Sequence, residues 1–173
     1  TLLTNLINFV MNNFPITHEG KTYWVSRSMA VACFVFANIN NEWRVLANQR
    51  GTGAADFNGL WNVPCGYLDF DETTKEAAMR EVYEETGVKI PEPFFWKFTD
   101  SPKENRQNVT FLYGVVLEKP KTEDISLCIG DFGGEVNEVN SVAWIPVDKI
   151  HDFKWAFNHN HLIDELLDEL SID

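Results

Sequence analysis

The chain has 173 residues, a formal net charge of −12, 45% hydrophobic residues and 13% aromatic residues. That length and apolar content suit one domain with a real core and exclude a disordered chain. The acidic balance argues against a nucleic-acid polymer as the main ligand, because phosphate backbones call for clustered Lys and Arg. Small phosphate substrates stay open, since metal ions can supply the positive charge.

Residues 2–14 read as a short amphipathic helix with Leu3, Leu6, Ile7, Val10 and Phe14 on one stripe. Such a helix has either its own domain or a second copy of the chain to pack on, so a homodimer stays open. Residues 23–25 suggest a short strand. Residues 29–39 form an apolar strand, and Asn40-Asn41 turn it into a second at 43–48. A loop rich in Gly and Ala covers 51–59. A helix follows, with Asp71, Thr73 or Thr74 as cap, Glu76 placed for a capping box with Thr73, and Gly87 as its stop. Strands are expected at 94–99, 109–118 and 142–147, and a closing helix at 159–170 with Leu162, Ile163, Leu166, Leu167 and Leu170 on one face. This order suits an α/β (α+β) architecture, a mixed sheet sandwiched between helices.

The informative segment is 66–88, GYLDFDETTKEAAMREVYEETGV. Residues three and four apart share a helix face, so Glu81 neighbours Glu84 and Glu85, and Arg80 neighbours Glu84. Each like-charge pair costs a few tenths of a kcal/mol, about the inverse of a favourable pair. A cation removes that repulsion. Oxygen ligands suit Mg²⁺ or Mn²⁺, and Mg²⁺ completes its shell with water and substrate phosphates. Gly66 lets the loop backbone approach closely, which makes the carbonyl of Cys65 a further candidate ligand.

The segment resembles the Nudix box, Gly-x5-Glu-x7-Arg-Glu-U-x-Glu-Glu-x-Gly-U with U aliphatic, and departs from it at none of its fixed positions. A chance match of all of them is on the order of one in a million or rarer. The preceding GLWNVPCG, residues 59–66, is similar to the family's lead-in, with Cys65 where many members carry Gly. The resemblance implies an α/β/α sandwich and metal-dependent hydrolysis of a nucleoside diphosphate linked to another moiety. It also implies metal binding by Glu81, Glu84 and Glu85, with Glu72 and Arg80 tying the loop to the helix.

Outside the box, the family often places an extra acid before the last strand, as metal ligand or general base. Glu138, ahead of Trp144, is the first choice, with Glu135 beside it. Arg50 ends the second long strand, where a planar guanidinium could meet a phosphate or form a surface ion pair. Pro102 roughly fits the proline of members that cleave ADP-ribose, and Lys103 or Arg106 in the same polar loop could reach a phosphate or ribose. Trp24, Arg50, Phe57 and Pro102 are candidate pocket residues. FNHNH, residues 157–161, is similar to a helix entry of ADP-ribose-type members, with Asn158 or Asn160 as cap. His159 and His161 lack partners for zinc.

The expected reaction is metal-assisted pyrophosphate hydrolysis, with an ADP-ribose-like substrate favoured. Oxidised or non-standard nucleoside triphosphates are an alternative substrate class. A non-catalytic ligand sensor is disfavoured by the intact acids, and the DNA-binding domain of transcriptional members has no room before Asp173. An isoprenoid diphosphate isomerase is disfavoured by the unmodified box. Cys33, Cys65 and Cys128 are odd in number, widely spaced and without a Cys-x-x-Cys pair, so neither zinc nor disulfides are expected. No apolar stretch approaches the ~20 residues that span a bilayer, and no basic, cleavable N-terminal segment is visible. The expectation is therefore a cytoplasmic protein with no membrane partner.

Overall fold

The structure is a computed structural model that describes residues 13–102, 107–129 and 137–172. Strands β1 (Phe14–His18) and β2 (Lys21–Val25) form a separate hairpin. Glu19 and Gly20 close it with φ of 50° and 75°, the paired left-handed conformation of a two-residue turn. Phe14 is thus a strand residue rather than the end of the expected helix, and the rest of that helix, through residue 12, lies outside the described residues. The alternation in ITHEGKTY, residues 16–23, favours the hairpin.

Strands β3 (Met29–Ile39) and β4 (Glu42–Arg50) form the expected second hairpin, turning at Asn40 and Asn41. Both residues have positive φ, which asparagine tolerates better than most side chains. The two strands pair only from Phe36 and Val45 to the turn. Beyond that they diverge. The gap receives β5 (Trp61–Asn62), which pairs with β4, and β6 (Cys65–Tyr67), which pairs with β3. These two short strands lie beyond the expected 51–59 loop, where the sequence reading placed no strand.

The chain continues with α1 (Thr74–Thr86), β7 (Phe94–Thr99), β8 (Val109–Leu117), β9 (Val139–Pro146) and α2 (His159–Leu170). Strand β8 lies parallel to β3, β7 is antiparallel to β8, and β9 is antiparallel to β4, giving a mixed seven-stranded sheet. Alternation along β3 builds the two cores. Val31, Cys33, Val35 and Ala37 pack with Ala77, Ala78 and Val82 of α1. Ala32, Phe34 and Phe36 pack with Ile163, Leu166 and Leu167 of α2. A helix therefore covers each face, as the sandwich reading expected. Strand β3 is apolar at nearly every position because both of its faces are buried.

Candidate functional site

Helix α1 is pinned at both ends. Thr73 Oγ1 accepts the Glu76 N–H at 3.2 Å, and the Glu76 carboxylate accepts the Thr73 N–H at 2.8 Å, a complete capping box. Gly87 follows the helix at φ 73° and donates its N–H to Tyr83 O at 2.8 Å. With the ends set, the 3.6-residue period turns Ala77, Ala78 and Val82 onto the sheet and carries Glu81 and Glu85 inward with them. Both acids are buried, at 8% and 3% exposure.

Burying carboxylates is costly unless something compensates. The Glu81 carboxylate lies directly against the Gly66 backbone. A Cβ there would sit 2.6 Å from Oε2 and closer still to Oε1. Glu85 Oε2 accepts the Cys65 N–H at 3.1 Å. Its Oε1 is buried and, among the described residues, has no hydrogen-bond partner. Burial raises Glu81 to about 7, helped by the charges of Glu84 and Glu138 and opposed by Arg80. Burial also raises Glu85 well above the carboxylate range, with Glu81 and Glu138 adding to the shift and the Cys65 amide and Arg50 opposing it. The two groups thus form an electrostatically loaded pair on one edge of the helix.

Arg80 neutralises part of this charge. Its Nε and Nη2 grip both oxygens of Glu72 at 3.0 and 2.8 Å, and Nη2 also donates to Tyr67 O at 3.0 Å. Nη1 bridges Glu81 Oε1 at 2.8 Å and Glu84 Oε2 at 3.0 Å. Glu72 further accepts the Asp69 N–H at 2.8 Å, so the loop after β6 is tied to the helix through one ion pair. The hydrogen bonds from Arg80 hold the Glu72 carboxyl below its ordinary value. A depressed folded-state pKa contributes stability above the unfolded value, and that stability disappears as pH falls through the folded value. Glu72→Gln is therefore expected to cost about 1 kcal/mol at pH 7, discounted for its solvent exposure. Urea denaturation at pH 7 and below pH 4 checks it, and the gap from the parent should close at the acid end.

Glu138 is brought to the same region by backbone bonds. Gly51 N donates to Glu138 O at 2.6 Å, and Gly53 N to Asn137 O at 2.9 Å. A Cβ at Gly51 would overlap the Asn137 carbonyl oxygen and lie 3.1 Å from its carbon. Gly51→Ala is expected to destabilise by about 2 kcal/mol, because backbone rather than a mobile side chain must yield. A lower urea midpoint at unchanged slope would register it. Arg50 is 8% exposed, donates from Nε to Asp56 O at 2.8 Å, pairs with Asp56 Oδ1 at 3.0 Å and lies 5.0 Å over the Phe157 ring. It lines a cavity of about 250 Å³ with Gly51, Thr52, Asn137 and Asn140. Among the described residues, no three acidic, His or Cys side chains form a preformed cage for an ion.

Comparison with known families decides the lineage, for the NUDIX domain model matches residues 26–166. The chain belongs to the Nudix family. Phosphatase NudJ of Escherichia coli K12 is 29% identical over 119 residues, covering 57% of this chain and 78% of NudJ. The NUDIX domain of Shewanella oneidensis NrtR, solved with ADP ribose, superposes with a TM-score of 0.70 at 21% identity, covering 95% of this chain and 97% of that one. A bifunctional NMN adenylyltransferase/ADP ribose pyrophosphatase from Francisella tularensis, solved with AMP and a Mn ion, gives 0.68 at 20% identity, covering 97% of this chain and 46% of that one.

Within this Nudix fold the outlying candidates separate. Trp24 stands 70% exposed on the β1–β2 hairpin. Pro102 is exposed after β7, and neither it nor Trp24 lines the cavity beside Arg50. Lys103, Arg106 and Glu135 lie outside the described residues. Asn158 occupies the cap position of α2 at φ 59°, but its side chain makes no capping hydrogen bond, because the left-handed backbone turns it away from the first-turn amides. Sequence reading set His159 aside as a zinc ligand and missed its structural part. The residue is 4% exposed, and its Nδ1 accepts the Val63 N–H at 3.1 Å. Its place at the N-terminal, inward edge of an amphipathic helix was the available signal. Among the described residues, no helix is long and apolar enough to cross a membrane.

Proposed function

We propose that this chain hydrolyses the pyrophosphate bond of a nucleoside diphosphate linked to another moiety, with an ADP-ribose-like molecule as substrate and Mg²⁺ or Mn²⁺ as cofactor. The observation that carries the proposal is Glu85 Oε1, buried without a partner among the described residues and set beside the buried Glu81. A carboxylate pair in that state fits a divalent cation, which offsets both desolvation and mutual repulsion. Glu81, Glu84 and Glu85 would hold the metal, with the Cys65 carbonyl as a further oxygen donor. Few protein ligands suffice, because Mg²⁺ retains water and takes substrate phosphates. Bound there, the metal would lower the pKa of a coordinated water and stabilise charge on the phosphates.

The chain's own groups supply the rest. Arg80 holds the box loop against the helix and balances charge at Glu81 and Glu84. Glu138, whose charge acts on both buried acids, accepts the proton of the attacking water as its oxygen bonds to phosphorus and the bridging P–O bond breaks. Arg50, at the wall of the neighbouring cavity, orients a phosphate. Trp24, Pro102 and Arg106 are proposed for the non-phosphate end of the substrate. One Nudix domain carries all of these groups. The net charge of −12 supports a small metal-bound ligand rather than a nucleic-acid polymer. The three cysteines are free, which suits a reducing cytoplasm.

The NrtR domain solved with ADP ribose and the pyrophosphatase solved with Mn support this substrate and metal by analogy of fold. The deciding experiment incubates the chain with ADP-ribose, a dinucleoside tetraphosphate and an oxidised nucleoside triphosphate, each with and without Mg²⁺. AMP and ribose 5-phosphate released from ADP-ribose only with metal is the expected result. Binding of ADP-ribose without product would replace hydrolysis by a sensing role.

A further inference from the structure

We propose that His159 is a positioning residue for the carboxylate site, acting through the turn between β5 and β6. This rests on the metal-binding reading of Glu81 and Glu85 and adds a residue outside the box to it.

The two residues of that turn and Cys65, which opens β6, are each tied to a different layer of the fold. The Val63 N–H donates to His159 Nδ1 of α2 at 3.1 Å. The Pro64 carbonyl accepts the Cys33 N–H of β3 at 2.9 Å. The Cys65 N–H donates to Glu85 Oε2 of α1 at 3.1 Å. Proline has no N–H, so the amides on either side of it carry the two outer bonds. Only one of the three anchors is a side chain from the far face of the sheet, and it is His159.

The ring is held to meet this demand. It packs against Phe34 at 5.8 Å between centroids and against Phe157 at 5.2 Å. Phe157 in turn lies under the Arg50 guanidinium. To accept from Val63, Nδ1 must be unprotonated, which assigns the ring proton to Nε2. Val63 is fully buried, so its N–H has no recourse to water if that acceptor is removed. The turn would then relax toward another acceptor and carry the Cys65 amide off Glu85.

The test compares His159→Phe, which keeps a ring but removes the acceptor, with His159→Asn, whose amide oxygen falls close to the place of Nδ1. Mn²⁺ affinity is measured by electron paramagnetic resonance, and hydrogen exchange of the Val63 and Cys65 amides is followed by NMR. His159→Phe is expected to bind Mn²⁺ about 10-fold more weakly, within the range for groups that orient metal ligands. It should also exchange the Cys65 amide faster, and His159→Asn should restore both. Unchanged Mn²⁺ affinity and Cys65 exchange in His159→Phe overturn the proposal, as does a loss that His159→Asn fails to restore. If His159→Phe does not fold, the wild-type ring decides: an Nδ1-protonated tautomer in its ¹⁵N spectrum overturns the proposal, and an Nε2-protonated one upholds it. Neither readout needs substrate. A wild-type chain that binds Mn²⁺ and leaves all three nucleotides intact refutes the hydrolase reading and leaves this one standing.

Discussion

Glu85→Gln is expected to lower ADP-ribose turnover by about 10³-fold or more while the fold survives, the scale on which groups acting only in the transition state are lost. The substitution is nearly isosteric. Its amide oxygen can still accept the Cys65 N–H that Glu85 Oε2 takes now. It replaces a 3% exposed carboxylate, held well above its usual pKa by burial, with a neutral group. Replacing a carboxyl whose charged form burial already disfavours removes its repulsion with Glu81, so the metal-free protein is expected to lose little stability. Metal binding has the opposite dependence, because the ligand charge is what it draws on. Thermal denaturation with and without 10 mM-scale Mg²⁺ should therefore give a parent that the metal stabilises by mass action and a variant that it does not. A Glu85→Gln chain that stays folded and turns over ADP-ribose at the parent rate with Mg²⁺ would refute the assignment of Glu85.

Gly66→Ala is expected to separate activity from stability. The added methyl would occupy the volume of the Glu81 carboxylate, 2.6 Å from Oε2 and nearer Oε1. What must move is the end of a flexible side chain, not backbone, so the strand pairing of Val31 with Gly66 can persist. Glu81 then swings off the site and out of its bond with Arg80. Turnover should fall about 10²-fold or more, since misplacing a catalytic group by about 1 Å costs that much. The circular dichroism spectrum should stay that of the parent, and the Mn²⁺ affinity should fall in step with turnover. Wild-type turnover in Gly66→Ala would show that Glu81 need not lie on the glycine to work. Gly51→Ala makes the contrasting case, where the obstacle is the Asn137 carbonyl and stability itself is expected to suffer.

The box helix was legible in the sequence because its determinants are local. Thr73, Glu76 and Gly87 satisfy the helix ends from within a few residues, and the period of Ala77, Ala78 and Val82 names the buried face. The Asn40-Asn41 turn was legible for the same reason. The β1–β2 hairpin was not, because an apolar N-terminal stripe outweighed a short alternating run. Strands β5 and β6 were hidden differently. Two and three residues long, they carry no periodicity, and they exist because β3 and β4 part and leave backbone groups to be paired. Asn158 had the right residue type and place for a cap but not the backbone conformation that capping needs.

By itself the sequence determined the family, the helix that carries the acids and the identity of those acids, since spacing along one helix and its two ends is a property of neighbouring residues. Only the tertiary structure decided that Glu81 and Glu85 are buried, that the Glu81 carboxylate lies on Gly66, that Gly51 holds Glu138 beside them and that His159 reaches Val63 from the opposite layer. Those contacts join residues 15 to 96 positions apart, and their geometry depends on how the sheet splays and how two helices pack across it. The charge of a carboxylate is written in its residue type; the burial that penalises that charge and leaves Glu85 Oε1 without a partner among the described residues comes from the fold around it.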